Sequence, residues 1–149
     1  MYELIKVPDP ILRQKAKPVN KIDGSVKKIA EHMKSQLEPL EAGGLAAPQF
    51  GQLVRVIVVK FDSMTNLAIV NPEVVKERGQ HIVTEGCRSI PRRWYTVRRP
   101  KIVKVRGLDL HGAGITVRSS GFLAQVLRHE IDHLDGVLID SIGQLTRSK

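Results

Sequence analysis

The chain has 149 residues, and its 24 lysines and arginines against 15 acidic residues give a formal net charge of +9. This length fits one domain with one core, which we predict over residues 1–149. No apolar run approaches the roughly 20 residues that span a bilayer, no signal peptide is recognised, and a single cysteine excludes an internal disulfide. We therefore expect a cytoplasmic protein with neither membrane nor DNA among its partners.

The first predicted helix begins near Asp23 or Ser25, either of which can cap it, and Pro39 ends it. Its apolar residues recur at the spacing of one helix face. These residues are Val26, Ile29, Met33 and Leu37. The pattern predicts an amphipathic helix that packs on the core.

Four strands are predicted from apolar runs and from alternation of apolar and polar residues. They cover residues 53–60, 66–75, 101–110 and 115–117. The second is interrupted at Pro72, and a glycine-containing turn joins the last two into a hairpin.

A second helix of about four turns is predicted between Ser119 or Ser120, as N-caps, and Gly136 at its end. The polar tail at residues 140–149 is expected to be partly loose. Strands that lie before and between two helices, without β-α-β alternation, indicate an α+β fold. We expect a mainly antiparallel sheet packed around the second helix.

The sequence His-Glu-Ile-Asp-His occupies residues 129–133 of this second helix. Helical residues four apart differ by about 40° in direction, so His129 and His133 are neighbours that can hold one metal ion. Glu130 lies beside them, within reach of a water molecule that the metal activates. The pattern also occurs by chance, but the apolar flanks turn these histidines toward the core, where they need partners. Those flanking residues are Leu123, Val126, Leu127 and Leu134. The second helix is therefore predicted to bind a metal with one further ligand.

Cys87 is the only cysteine and our choice for that ligand. A single buried thiol most often serves as a small hydrophobe. Gly86 precedes Cys87, however, and the neighbouring residues are polar or charged, which favours a turn presenting the thiol over a core strand. Three protein ligands with a fourth position open are typical of catalytic metal sites.

A third segment, residues 41–51, combines paired glycines, small alanines and Gln49. Glycine permits close approach of the backbone to a ligand, and the Gln49 amide can donate to an oxyanion. Taken alone, the segment favours a tight loop between a helix and a strand, with Gln49 solvated.

Together the three segments resemble those of the peptide deformylases, whose patterns are Gly-x-Gly-Leu-Ala-Ala-x-Gln, Glu-Gly-Cys-Leu-Ser and His-Glu-x-Asp-His-Leu. Here residues 42–49 read Ala-Gly-Gly-Leu-Ala-Ala-Pro-Gln, residues 85–89 read Glu-Gly-Cys-Arg-Ser, and residues 129–134 read His-Glu-Ile-Asp-His-Leu. Order and spacing match, and the resemblance extends over nearly the whole chain. It implies a metallo-amidase, not a peptidase, that removes the N-formyl group from the formyl-methionine of nascent polypeptides and releases formate.

The resemblance implies a role for each matching residue. Cys87, His129 and His133 would bind one metal ion per chain, natively Fe(II), with zinc, nickel or cobalt able to substitute. Glu130 would act as general base and then as general acid. Gln49 and the backbone N–H of residue 88 would stabilise the oxyanion.

Substrate contacts are implied as well. The Gly44 backbone would hold the peptide, and Val83, Phe122 and Val126 would surround the methionine side chain. Because deformylases act on nascent chains, the net charge of +9 is consistent with transient contact with the anionic ribosome. A solvated basic surface without a specific partner explains the charge equally well.

The sequence departs from the family pattern at three positions. Ala42 replaces a glycine, Arg128 replaces the usual glutamine, and Arg88 replaces the leucine after the cysteine. Arg88 is the one hint of an alternative function, a non-catalytic or weakly active deformylase-like protein that binds the ribosome or RNA. A cysteine protease with Cys87 as nucleophile is a further alternative, which leaves Glu130 unused.

Overall fold

The computed structural model describes residues 2–148, so Met1 and Lys149, the ends of the predicted domain, lie outside it. The helices are α1 (Gly24–Gln36), α2 (Gly121–Leu134) and α3 (Ile139–Ile142), with short 3-10 helices at Pro10–Arg13 and Ala47–Phe50. The strands are β1 (Gly44–Ala46), β2 (Val56–Lys60), β3 (Asn66–Arg78), β4 (His81–Cys87), β5 (Ile90–Arg99), β6 (Ile102–Leu108), β7 (Gly114–Ser120) and β8 (Gln144–Ser148).

The strands form two sheets, one of five strands in the order β1-β2-β3-β6-β7 and one of three in the order β4-β5-β8. Every pair of neighbouring strands in both sheets is antiparallel. The structure thus confirms an α+β fold with mainly antiparallel sheet around the second helix. No helix in residues 2–148 is both long enough and apolar enough to span a lipid bilayer.

Helices α1 and α2 pack on opposite faces of the larger sheet. Successive side chains of a strand point to opposite faces, so Val56 and Val58 of β2 pack with α1 while Ile57 and Val59 pack with α2. This double burial explains the uninterrupted apolar run of β2. The strand itself is shorter than predicted, since it begins at Val56 and not at residue 53.

The predicted caps of both long helices are largely confirmed. The Asp23 side chain accepts hydrogen bonds from the backbone N–H groups of Ser25 and Val26 at the start of α1. Ser120 is the N-cap residue of α2, although its side chain makes no capping hydrogen bond. Gly136 follows the end of α2 at φ +73°, and a Cβ there would collide with the backbone of Arg13.

The end of β3 and the tail differ from the predictions. A register shift between Val70 and Glu73 confirms the predicted interruption at Pro72, but pairing continues to Arg78 and not only to residue 75. The predicted hairpin is confirmed as β6 and β7. The prediction of a partly loose tail is wrong for residues 144–148, which form β8 and pair with β5.

The β4–β5 hairpin was not predicted. Its exposed positions carry arginines and even the apolar Ile82, which is 67% exposed, so the alternation that marks a half-buried strand is weak. This hairpin nevertheless carries the cysteine to the second helix.

Candidate metal centre and active site

Helix α2 carries two histidines and a glutamate into the interior of the protein. His129, Glu130 and His133 are all buried. The imidazole centroids of His129 and His133 lie 5.1 Å apart, as expected for residues one turn apart on the same face. The arrangement predicted from the helix period is therefore confirmed.

Cys87 meets these histidines from the smaller sheet. It is the last residue of β4, at a register shift, so the prediction that it lies in a turn and not in a strand is wrong. The turn begins one residue later, at Arg88. The Sγ atom of Cys87 lies 3.3 Å from Nε2 of His133. One ligand atom from each of Cys87, His129 and His133 lies within 4.8 Å of the other two.

These distances fit a shared metal ion. Zn–S bonds of about 2.3 Å and Zn–N bonds of about 2.0 Å place sulfur and nitrogen about 3.5 Å apart in a tetrahedral site. The 3.3 Å separation of Cys87 Sγ and His133 Nε2 is close to that value. A thiolate with two imidazoles is also a donor set suited to zinc, iron, cobalt or nickel.

The orientation of His129 is fixed by a buried carboxylate. Its Nδ1 lies 2.9 Å from Oε1 of Glu85, which leaves Nε2 as the nitrogen free for a metal. Arg99 donates to both oxygens of Glu85 at 2.8 Å and to Oδ2 of Asp132 at 2.7 Å. Arg99 is only 2% exposed, so its charge depends on these two carboxylates.

Glu85 and Arg99 were missed as functional residues in the sequence. Burial alone raises the pKa of the Glu85 carboxyl, but hydrogen bonds from Arg99 and His129 outweigh it and lower the pKa to about 2. The carboxylate therefore stays charged and keeps His129 oriented. Glu85 adjoins the cysteine motif, whereas Arg99 lies in a basic stretch that gives no signal of burial.

Glu130 lies in a different environment from Glu85. Burial raises the pKa of its carboxyl to about 7, with His129 and Arg99 opposing and Glu85 adding to the shift. Its Oε1 atom is buried and has no hydrogen-bond partner within residues 2–148. A carboxyl with a pKa near 7 and a free oxygen can both accept and return a proton.

Gly44 makes room for Glu130. A Cβ atom at Gly44 would lie 2.8 Å from Cγ of Glu130 and 2.7 Å from Cγ1 of Val126. Any larger residue would displace one of these side chains, so the glycine allows β1 to approach α2 closely.

Gln49 is buried, contrary to the solvated loop residue that its segment favoured when taken alone. Its Oε1 accepts a hydrogen bond from the Ala46 N–H at 2.9 Å, and its Nε2 donates to Oγ of Ser89 at 3.0 Å. Nε2 also lies 4.0 Å from Sγ of Cys87. Because both ends of the amide are held, its N–H group is aimed at the region beside the cysteine.

A cavity of about 190 Å³ opens onto this cluster. Gly44, Gln49, Cys87, His129 and Glu130 line it together with Arg88, Phe122 and Val126. Val83, the remaining predicted substrate residue, lies one residue away on β4, where it pairs with Val97, and Thr84 and Gln125 line the cavity instead. Phe122 is 68% exposed at the rim.

Arg88 lies at the mouth of the cavity with its side chain exposed. Its Nη2 donates to the backbone carbonyl of Glu41 at 3.4 Å, across the opening. The guanidinium thus remains in solvent, whereas the backbone N–H of residue 88 belongs to the peptide bond that directly follows Cys87.

The chain is similar to known proteins in both sequence and fold. The polypeptide deformylase family model matches residues 1–148. A peptide deformylase of Dehalococcoides mccartyi (strain CBDB1) is 41% identical over 136 residues, which cover 91% of this chain and 81% of that protein. A crystal structure of a peptide deformylase from Legionella pneumophila superposes with a TM-score of 0.91 at 36% identity, covering 95% of this chain and 85% of the other.

The peptide deformylase of Thermotoga maritima gives a TM-score of 0.90 at 36% identity, covering 95% of this chain and 97% of the other. The similarity thus includes both sequence and fold over almost the full length of this chain and over 81% to 97% of the other proteins. The chain belongs to the polypeptide deformylase family.

Proposed function

We propose that Cys87, His129 and His133 bind one metal ion and that Glu130 transfers protons, in an enzyme that removes the N-formyl group from nascent polypeptides. The enzyme is a metal-dependent hydrolase of a linear amide and releases formate. The observation that carries the residue assignment is the convergence of three ligand atoms within 4.8 Å at a cavity that Glu130 also lines. We propose Fe(II) as the native ion, with zinc, nickel or cobalt as substitutes.

A metal ion held by these residues would act as a Lewis acid that lowers the pKa of water and polarises the formyl carbonyl. Glu130 takes a proton from water as it attacks the formyl carbon, and later gives that proton to the departing amine. A pKa near 7 suits both directions of transfer.

The oxyanion formed at the formyl carbon needs fixed donors. Gln49 and Arg88 line the cavity beside Cys87, and we propose the Gln49 amide and the backbone N–H of residue 88 for this role. Fixed donors of this kind contribute on the order of 3 kcal/mol each, because they need no reorganisation during the reaction. The Gly44 backbone, at the cavity wall, is proposed to hold the peptide.

The test is a formate-release assay on formyl-Met-Ala-Ser with protein purified anaerobically, combined with metal analysis of the same preparation. We expect one metal ion per chain, turnover that a chelator abolishes, and recovery when Fe(II) is added. Cleavage of the peptide bonds that resists the chelator, in place of formate release, would instead indicate a cysteine protease. A metal-loaded protein that releases no formate would contradict the proposed catalytic residues.

We propose that Val83, Phe122 and Val126 contact the methionine side chain of the substrate. A filled apolar pocket predicts that formyl-Met peptides exceed formyl-Gly peptides in kcat/KM by up to about 3 kcal/mol, or about a hundredfold. The Val126→Ala variant should narrow this preference, because Val126 lines the cavity.

Ile82→Ala is a matched control for the pocket prediction, since Ile82 is an exposed apolar residue of β4 that does not line the cavity. Its preference for formyl-Met should equal that of the wild type. Equal kcat/KM for the two substrates in the wild type would show that no such pocket operates.

A separate prediction concerns Arg88. Arg88→Leu should raise KM for peptides with an acidic residue by up to about fivefold, because exposed ion pairs provide about 0 to 1 kcal/mol. The effect should fade as salt rises, and kcat should stay unchanged, since only the backbone of residue 88 faces the proposed oxyanion.

Arg98→Leu is the control for Arg88, because Arg98 is exposed on β5. A rise of tenfold or more in kcat on replacing Arg88 would show that the arginine impairs the site. Unchanged kinetics in Arg88→Leu would show that the side chain is merely tolerated.

We propose further that the protein works in the cytoplasm as one catalytic domain over residues 1–149 and contacts the ribosome transiently. Formylated nascent peptides are the substrates of this family. The net charge of +9 supports attraction to the anionic ribosome, where those substrates emerge.

A further inference from the structure

Three cations stand in one row across three adjacent strands of the larger sheet. Lys76 of β3 lies opposite Lys104 of β6, and Lys104 lies opposite Arg118 of β7. Adjacent strands are separated by about 4.8 Å, so the row spans about 10 Å. Like charges in directly opposite positions destabilise a sheet, which makes such a row costly unless a partner neutralises it.

A β-bulge is what brings Lys76 into the row. Val74 pairs with Val105, yet Lys76 rather than Val75 pairs with Lys104, so β3 contains one extra residue at this point. Without that residue, regular alternation would place Val75 opposite Lys104 and turn Lys76 toward the buried face.

Two more arginines extend the row into a wider surface. Arg78 lies two residues after Lys76 on β3, and Arg106 lies two residues after Lys104 on β6. Both therefore point to the same side of the sheet as the lysines. We call these five residues, Lys76, Arg78, Lys104, Arg106 and Arg118, the cationic face. Four of them are exposed and Lys104 is half-buried.

Acidic residues do little to neutralise the cationic face. Within residues 2–148, none of its five cations forms an ion pair. Glu73 lies opposite Arg106 in the register, while Glu77 is engaged by Arg128 at 2.9 Å. The face therefore keeps a concentrated positive potential at the surface.

We propose that the cationic face binds the phosphate backbone of RNA. Rows of lysine and arginine suit phosphates, and the face offers no aromatic side chain on which bases could stack, so binding should be independent of sequence. Ile102 is its main exposed apolar residue, which is too little to insert into a lipid surface. The choice of RNA as the anionic partner rests on the proposed ribosome contact.

The cationic face and the catalytic cavity lie on opposite sides of the larger sheet. Val103, Val105 and Val117, between the cations along β6 and β7, pack under α2, the helix that borders the cavity. The cations point to the other side, the side of α1. RNA on this face therefore leaves the cavity open to a peptide.

The test measures the fluorescence anisotropy of a labelled 20-nucleotide single-stranded RNA with the metal-loaded enzyme over a range of KCl concentrations. The triple variant Lys76→Gln, Lys104→Gln, Arg118→Gln should reduce the slope of log K against log [KCl] by about 2, from three phosphate contacts at about 0.7 each. The control triple Lys15→Gln, Lys17→Gln, Lys21→Gln removes the same charge from exposed positions elsewhere and should change the slope less.

A second variant, Arg78→Gln with Arg106→Gln, should reduce the slope by about 1.4 and covers the case of a poorly folded triple variant. An equal reduction of the salt slope in the cationic-face and control variants would overturn the proposal. Wild-type protein that binds phosphatidylglycerol vesicles but no RNA at low salt would also overturn it. Formate release, measured on the same samples, should be unaffected by all these substitutions. If the cationic-face variants keep the wild-type salt slope while formate release is normal, only this inference is contradicted. If the slope falls as expected but the wild type releases no formate, only the proposed function is contradicted.

Discussion

Replacing Glu130 with glutamine is expected to lower kcat by about 10²- to 10⁴-fold, because the amide cannot accept and return a proton. The amide has the same size as the carboxyl and fits the space left by Gly44. The variant should therefore retain its metal.

Steady-state formate release and metal analysis on the same samples check this result. Glu38→Gln is the matched control, because Glu38 is an exposed glutamate beyond the end of α1 and should retain wild-type kcat. If Glu130→Gln kept more than about a tenth of the wild-type kcat, Glu130 would lose its proposed role as the base.

Replacing Cys87 with serine is expected to reduce bound metal from one per chain toward zero and to lower kcat by at least about 10²-fold, because a Lewis acid supplies several kcal/mol. Serine keeps the shape of the side chain but not the soft thiolate that the donor set provides. Since Cys87 is the only cysteine, the cobalt form of the wild type should show a thiolate-to-metal absorption band that belongs to this residue alone.

Thiol titration gives an independent measurement on the same protein. The metal-loaded wild type should react slowly with a thiol reagent, and a chelator should expose one thiol per chain. His133→Asn should lose metal as Cys87→Ser does, whereas His111→Asn, at an exposed histidine, should keep it. Full metal content and activity in Cys87→Ser would show that another residue is the ligand.

Helix α2 is the part of the fold that was predicted best. Its buried face, the adjacency of His129 and His133, and its end before Gly136 follow from local rules of helix period and C-capping. Helical hydrogen bonds link residues four apart, so a short segment contains the information that defines them.

The smaller sheet was predicted worst, although it carries Cys87. Its strands β4 and β8 both pair with β5. The β4–β5 pair is a hairpin whose apolar alternation is weak, whereas the partner of β8 is remote in sequence. β8 pairs with residues 93–96, some fifty positions earlier in the chain. A polar strand at the edge of a sheet has no clear apolar alternation, which is why the tail was predicted to be loose.

By itself, the sequence determined the family resemblance and the spacing of His129 and His133, and it marked Cys87 and Glu130 as the candidate metal ligand and proton-transfer residue. Only the tertiary structure decided the environment of these side chains. Glu85 reaches His129 across 44 residues, and Arg99 reaches Asp132 across 33. Burial and these long-range hydrogen bonds lower the pKa of one glutamate to about 2 and raise that of the other to about 7. A pKa depends on the charges and solvent around a group in space, and no local sequence pattern specifies those surroundings.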